Sequence, residues 1–316
     1  MTAVASLANK GRQVGTLLGL VALCLLLWAL TPHFLTVSNL LNVMEQTAIN
    51  AVIAVGMTFV IISGGIDLSV GSLVAFSGVL LASALQAPLP AGPAILVCLL
   101  AGSACGLVNG ALITRGRLPP FIATLGMMSV ARGAALVFTE GRPISGFEAG
   151  FRGLATGRVM MVPVPVLVTA AVYLLGHFVL TRTRFGRYVY AIGGNEEATR
   201  LSGVSVRFHK SMVYALAGLM SALASVLLTA RLNSAQPIAG MMYELDAIAA
   251  TVIGGTSLMG GSGTLPGTLV GALIMGVLRN GLNLLGISSF LQQIVIGLVI
   301  IVAVLVDAML KKPGKQ

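Results

Sequence analysis

Residues able to do covalent chemistry are sparse in this chain and do not converge. Nine Asp or Glu and three His are spread over 316 positions. His33, His177 and His209 stand far apart, without an HExxH spacing or a catalytic partner. A GxxxxGK[ST] loop, whose backbone N–H groups would cradle nucleotide phosphates, is missing; the single Gly-Lys pair, Gly314-Lys315, is followed only by Gln316. Cys24, Cys98 and Cys105 lie inside apolar runs with neither metal-ligand spacing nor a disulfide pattern, and read as small hydrophobes. These features predict a chain that is not an enzyme, has no catalytic residue or metal site, and binds no cofactor itself.

The informative polar groups are the few embedded in apolar sequence, because ionisable and amide groups there face a bundle interior or a pathway. Asn50, Asp67, Asn109, Asn280 and Asn283 are candidates for a translocation pathway, with Gln292 and Gln293 alongside. Neutral amides suit a hydroxylated solute, and they suit helix–helix hydrogen bonds equally. Asp67, in Gly64-Gly65-Ile66-Asp67-Leu68-Ser69, is also well placed to accept from the free N–H groups of a following helix. Arg132 and Arg279 are costly to bury and must snorkel or pair. Glu244 and Asp246 precede a Gly-rich stretch, where they either orient a helix or, with Glu148, meet an external partner.

The elements that carry these groups follow from charge. The chain is 57% hydrophobic and 9% charged, with a mean hydropathy of +0.99, against roughly a quarter charged in an ordinary soluble chain. No Asp, Glu, Lys or Arg occurs in 13–44, 46–66, 68–114, 159–181, 211–230, 247–278 or 280–306. A spanning helix needs about 20 apolar residues, and lipid satisfies no backbone polar group. The expected fold is therefore all-α and polytopic, one transmembrane domain over 1–316. About ten spans are expected, at 14–31, 47–64, 70–86, 93–113, 120–139, 161–180, 211–230, 244–259, 266–285 and 290–309. Segments 70–86 and 244–259 are short and rich in Gly and Ser, so either suits a broken or re-entrant helix. The first run is too long for a signal-peptide core and ends in Thr31-Pro32-His33, which predicts a retained span.

The net charge of +10 is distributed as positive-inside flanks and not as a nucleic-acid surface. Lys10 and Arg12 precede the first span; Lys311, Lys312 and Lys315 follow the last; Arg182, Arg184, Arg187, Arg200, Arg207 and Lys210 fill the loop 181–210. An even number of spans puts all of these on one side, with both termini cytoplasmic.

Within that loop, Gly194-Asn195-Glu196-Glu197-Ala198-Thr199-Arg200-Leu201-Ser202-Gly203 predicts a short amphipathic helix. Asn195 supplies the N-cap, Glu196 and Glu197 an acidic first turn, and Gly203 the stop. It is either a solvated connector or a docking element for a cytosolic protein. Small residues at spacing four, Gly102, Gly106 and Gly110, and Gly267 with Gly271, predict close helix packing. A weak internal echo relates Ile62-Ser63-Gly64-Gly65 to Ile253-Gly254-Gly255-Thr256, each leaving an apolar span; it fits a two-fold repeat, although glycine enrichment alone produces similar matches.

Several motifs in order resemble the ribose-type permeases of bacterial ATP-binding-cassette importers. They are Ala54-Val55-Gly56-Met57-Thr58 through Gly71-Ser72, Phe185-Gly186-Arg187 through Gly193-Gly194-Asn195, Ala198 through Gly203, Ser234-Ala235-Gln236-Pro237, and Tyr243-Glu244-Leu245-Asp246-Ala247-Ile248-Ala249-Ala250. The likeness covers nearly the whole chain and is shared with permeases for xylose, galactosides, arabinose and autoinducer-2. It implies a homodimer in the bacterial inner membrane, served by a cytosolic ABC ATPase that uses ATP and by a periplasmic sugar-binding protein. It also implies that residues 194–203 couple to the ATPase. The competing reading is an ion-coupled secondary transporter of a small polar solute, for which Asp67 is the nearest carboxylate.

Overall fold

The computed structural model describes residues 3–87 and 89–310. Lys311, Lys312 and Lys315, expected to flank the last span, lie outside the described residues. In chain order the elements are α1 (Ala3–Leu30), α2 (Val37–Ile62), α3 (Val70–Gln86), α4 (Ala91–Thr114) and α5 (Pro120–Thr139). Next come β1 (Ile144–Ser145), α6 (Ala149–Thr156), β2 (Arg158–Val159), β3 (Val162–Pro163) and α7 (Val164–Arg182). The chain continues with α8 (Arg184–Gly194), α9 (Glu196–Leu201), α10 (Val206–Leu232), β4 (Ser234–Ala235), α11 (Tyr243–Ile253), α12 (Leu265–Leu284) and α13 (Ser289–Leu310). The all-α polytopic architecture expected from charge is present.

Each of the ten expected spans coincides with a helix, but they are not equivalent. Helices α2, α4, α5, α7, α10 and α12 are long and apolar enough to cross a membrane, and Val14–Leu30, Val70–Gln86 and Ser289–Leu305 are somewhat shorter apolar segments. The expected span 244–259 is corrected. Only Tyr243–Ile253 is helical there, about 16 Å at 1.5 Å per residue, and residues 254–264 form a loop. Gly254-Gly255 ends the helix while the apolar sequence runs on.

Burial separates centre from periphery. The apolar windows of α2 and α10 are 83% and 72% buried, whereas those of α4, α5 and α7 are 28% or less. Helices α2 and α10 are thus the axis of the bundle, and the latter three keep one face for lipid. The glycines at spacing four do what their spacing predicts. A Cβ at Gly102 would meet Gly218 and Ala222, one at Gly106 the Tyr214 backbone, and one at Gly110 the Ser211 backbone, so α4 lies directly on α10. Gly267 and Gly271 bring α12 against Gly254 and Ala250 of α11 in the same way.

At the end of the bundle away from α9, β1 pairs antiparallel with β4. Asn233, in the left-handed region at the C-cap of α10, accepts through Oδ1 from the Phe147 N–H at 2.9 Å. This sets α6 across the ends of α3, α4 and α10, where it buries Phe151 and Ala155. Beyond α6, β2 and β3 form a hairpin whose tip, Met160-Met161, is 93% and 77% exposed with both residues at positive φ.

Candidate functional site

The α8–α9 corner is an exposed polar feature. Thr183 Oγ1 caps α8 by accepting from the Gly186 N–H. The helix ends where Asn195 turns to an extended conformation, and Asn195 Oδ1 then accepts from the Ala198 N–H at 2.9 Å to start α9. Glu197 pairs with Arg200 at 2.6 Å, Glu196 with Lys210 at 2.7 Å, and Gly203 stops the turn at φ +81°. Gly194, Asn195, Glu196, Glu197, Ala198, Arg200, Leu201, Ser202 and Gly203 are exposed, Leu201 to 78%, while Thr199 is buried and donates to the Asn195 carbonyl. The cap, acidic turn and stop agree with the sequence reading.

This corner is fastened to two helix ends inside the bundle. Helix α2 ends at Ile62 with N–H groups of Ser63, Gly64 and Gly65 donating to the carbonyls of Phe59, Ile61 and Val60. Helix α11 ends at Ile253 with Gly254, Gly255 and Thr256 donating to Ala250, Val252 and Thr251, at the same sequence offsets. Both are Schellman caps, with Gly64 at φ +79° and Gly255 at φ +93° supplying the left-handed residue. The two ends also touch: the Gly261 N–H donates to the Ile62 carbonyl at 2.9 Å. A Cβ at Gly193 would collide with that carbonyl and with Gly261 N, and one at Gly260 would stand 3.0 Å from Gly64 Cα. Tyr190 of α8 donates to the Gly263 carbonyl at 2.6 Å, and burial pushes its phenol up to about 12, so it stays a donor. Bare backbone from the end of α8, the end of α2 and the loop after α11 therefore meets at one point, and Gly193-Gly194-Asn195 connects that point to α9.

The candidate pathway residues divide into two kinds. Asn280 exchanges amide hydrogen bonds with Asn39 at 2.8 and 2.9 Å, and Asn283 Oδ1 accepts from Gln292 at 2.8 Å, so both tie helices together. Asp67 and Asn109 converge on Ser69. Asp67 Oδ1 accepts from the Ser69 N–H and hydroxyl at 2.9 and 2.6 Å, and Asn109 donates to Ser69 Oγ at 2.9 Å. Asp67 Oδ2, Asn109 Oδ1 and the Tyr214 hydroxyl are buried without a hydrogen-bond partner among the described residues.

Asn50 belongs to a second group, where it donates to Asp246 Oδ2 at 3.2 Å. Arg279 Nη2 bonds both Asp246 oxygens at 2.8 and 2.6 Å. Asp246 is 1% exposed, so it faces the bundle and not the outer surface expected of a binding-protein contact: the loop after β4 dips inward before α11 begins. Glu244 is half-buried near Gly71, and Glu148 is exposed at the N-cap of α6. Arg132 Nη1 fixes the dipping loop by donating to the carbonyls of Pro237 and Ala239 at 2.8 and 2.7 Å.

A family model described as the permease component of branched-chain amino acid transport systems matches residues 39–304. The chain belongs to this permease family. Similar proteins include the ribose import permease protein RbsC of Escherichia coli (strain K12), 50% identical over 296 residues and 92% of each chain. RbsC of Bacillus subtilis (strain 168) is 50% identical over 298 residues, 94% of this chain and 92% of its own. The D-allose transport system permease protein AlsC of Escherichia coli (strain K12) is 39% identical over 302 residues, 95% of this chain and 93% of its own. No solved structure matches.

Three parts of the permease escaped sequence reasoning. Helix α8 was hidden because its basic residues read as a loop flank; the spacing of buried Gly186, Val189 and Ile192 along one face was the available signal. Helix α6 is too short to register as a span, although Phe147 and Phe151 stand at helical spacing. Thr47 and Tyr214 carry single hydroxyls whose burial only the packing reveals.

Proposed function

We propose that this permease is the membrane-spanning subunit of an ATP-driven sugar importer, with ribose as the solute delivered by a periplasmic sugar-binding protein. The observation that carries the ATP-driven mode is the exposed α8–α9 corner, whose Gly193 and Gly194, at the end of α8, lie directly against the Ile62 carbonyl of α2 and Gly261 of the loop after α11. A push on α9 passes through Asn195 to Gly193 and Gly194, and from their backbone to the end of α2 and the loop after α11. The 50% identity with ribose import permeases over nine-tenths of the chain supports the solute, against the amino-acid wording of the broader family description.

In this reading two copies assemble in the bacterial inner membrane with both termini cytoplasmic, which puts the basic α8–α9 side in the cytosol. Each copy receives an ABC ATPase on residues 194–203, and ATP is bound and split by that partner alone. The opposite end, with Glu148 and the Met160-Met161 tip, receives the binding protein. Lipid covers α4, α5 and α7, and no nucleic acid takes part.

The test is reconstitution in proteoliposomes with a candidate ATPase and binding protein, following labelled ribose. ATP-dependent uptake is expected; uptake driven by an ion gradient without any ATPase would overturn the proposal in favour of a secondary transporter, for which the open Oδ2 of Asp67 is the relevant feature. At the α9 surface, Glu197→Lys should reduce ATPase copurification at least tenfold while membrane insertion is unchanged, since Glu197 bonds only Arg200 and both are exposed.

A further inference from the structure

Helices α2, α11 and α12 line a small, largely apolar cavity of about 30 Å³ in which the polar side chains are Gln46, Thr47, Asn50, Asp246 and Arg279. Asn50 is twelve positions before the end of α2, about 18 Å along the helix, close to half the thickness of the apolar layer. The cavity thus lies at mid-depth, between the helix that ends in the first Schellman cap and the two that flank the second.

Its groups are incompletely used. Asp246 is satisfied by Arg279 and Asn50. Arg279 spends only Nη2 on that pair and is one-third exposed, so Nε and Nη1 remain as donors among the described residues. Thr47 Oγ1 and Asn50 Oδ1 are buried and have no hydrogen-bond partner among the described residues. Thr47 is 95% buried, and α12 approaches it so closely that a Cβ at Gly276 would strike the hydroxyl. A rigid pair of guanidinium donors beside two unpartnered acceptors matches a solute whose hydroxyls both donate and accept. It does not match an anion, because Asp246 neutralises the arginine, nor an apolar side chain, which would leave all four groups unpaired.

We infer that Thr47, Asn50 and Arg279 form a polyol-binding subsite on the translocation path, with Asp246 as the residue that positions Arg279. The inference rests on the sugar-import reading and names where the sugar is held. At about 30 Å³ the cavity admits water and no pentose, so it is the closed form of the subsite. It opens when α12 moves off α2, and the loop that precedes α12 is the one bonded to Ile62 and Tyr190 beside α9.

The experiment compares uptake of ribose and 2-deoxyribose by the reconstituted importer, wild type against Thr47→Val, Thr47→Ser, Asn50→Leu and Arg279→Lys. Thr47→Val replaces a hydroxyl that bonds nothing in the closed form among the described residues, so membrane insertion and assembly of the importer are expected to be unchanged. Ribose uptake below saturation should fall about fivefold in Thr47→Val and recover in Thr47→Ser, the loss of one hydrogen bond. Asn50→Leu and Arg279→Lys should narrow the preference for ribose over 2-deoxyribose. Unaltered uptake and preference in both Thr47→Val and Asn50→Leu would overturn the subsite while leaving sugar import standing. An equal loss for both sugars with a lowered ATPase rate would also overturn it, as the mark of a purely structural role. If the wild type takes up no sugar with ATP, both readings fall together.

Discussion

The end of α2 and the end of α11 are built alike and used differently. Each closes with the same three backbone bonds and a left-handed glycine, Gly64 or Gly255. After the first cap the chain turns at once into α3, and the turn is held inside the bundle by Asp67 and Ser69. After the second cap the chain takes the longer path 254–264, reaches across to Gly193 and Gly194, and only then enters α12 under the Thr264 cap. One motif thus makes an anchored joint and a reaching one. What ends a helix does not decide what the following loop does; the next polar residue does. A buried carboxylate pins the first loop, whereas Gly260, Gly261 and Gly263 leave the second free to lie on the end of α8.

The largest test of this contrast is Gly193→Ala. Its Cβ meets backbone on both sides, the Ile62 carbonyl and the Gly261 amide, so nothing can rotate away. About 1–3 kcal/mol of overpacking is expected at the junction, read as more ATP hydrolysed per sugar imported while ATPase binding persists. Next is Asp67→Ala, which removes the anchor of the first loop and should cost about 1–2 kcal/mol in thermal unfolding of the detergent-solubilised protein. Asp67→Asn retains an acceptor and should recover most of it. Gly64→Ala and Gly255→Ala should each cost about 1 kcal/mol by the same measurement, because both positions need positive φ. Unequal costs would break the equivalence of the two caps. Tyr190→Phe is the mildest change, expected to cost about 1 kcal/mol or less by freeing the Gly263 carbonyl. Its effect should appear in coupling more than in unfolding, since only the second loop is released.

Much of this architecture was readable from where charge is missing. Seven charge-free runs located nine of the ten helical stretches, because a chain in lipid has no other way to satisfy its backbone; the tenth, α5, carries Arg132 and was read from the apolar sequence around it. The α9 turn was equally readable, since Asn195 and Gly203 act within their own few residues. The length of α11 was not, because hydropathy continues through 254–258 whether or not the backbone stays helical. The roles of the amides were hidden for a different reason. Asn280 is spoken for by Asn39, 241 positions away, and Asn50 by Asp246, 196 positions away. Such pairings are properties of the packed bundle, and equal residue types at equal hydropathy acquire opposite duties from it. The echo between 62–65 and 253–256 was ambiguous as letters and became specific only as identical cap bonds.

The bond from the Gly261 amide to the Ile62 carbonyl has a further consequence. It joins the second loop to the last residue of α2, so it breaks whenever that loop lifts even if every helix stays intact. Its proton is therefore a built-in clock for the junction. Deuterium uptake at that single amide would report how often the loop lifts, and a rise during ATP turnover would time the motion without any label on the protein.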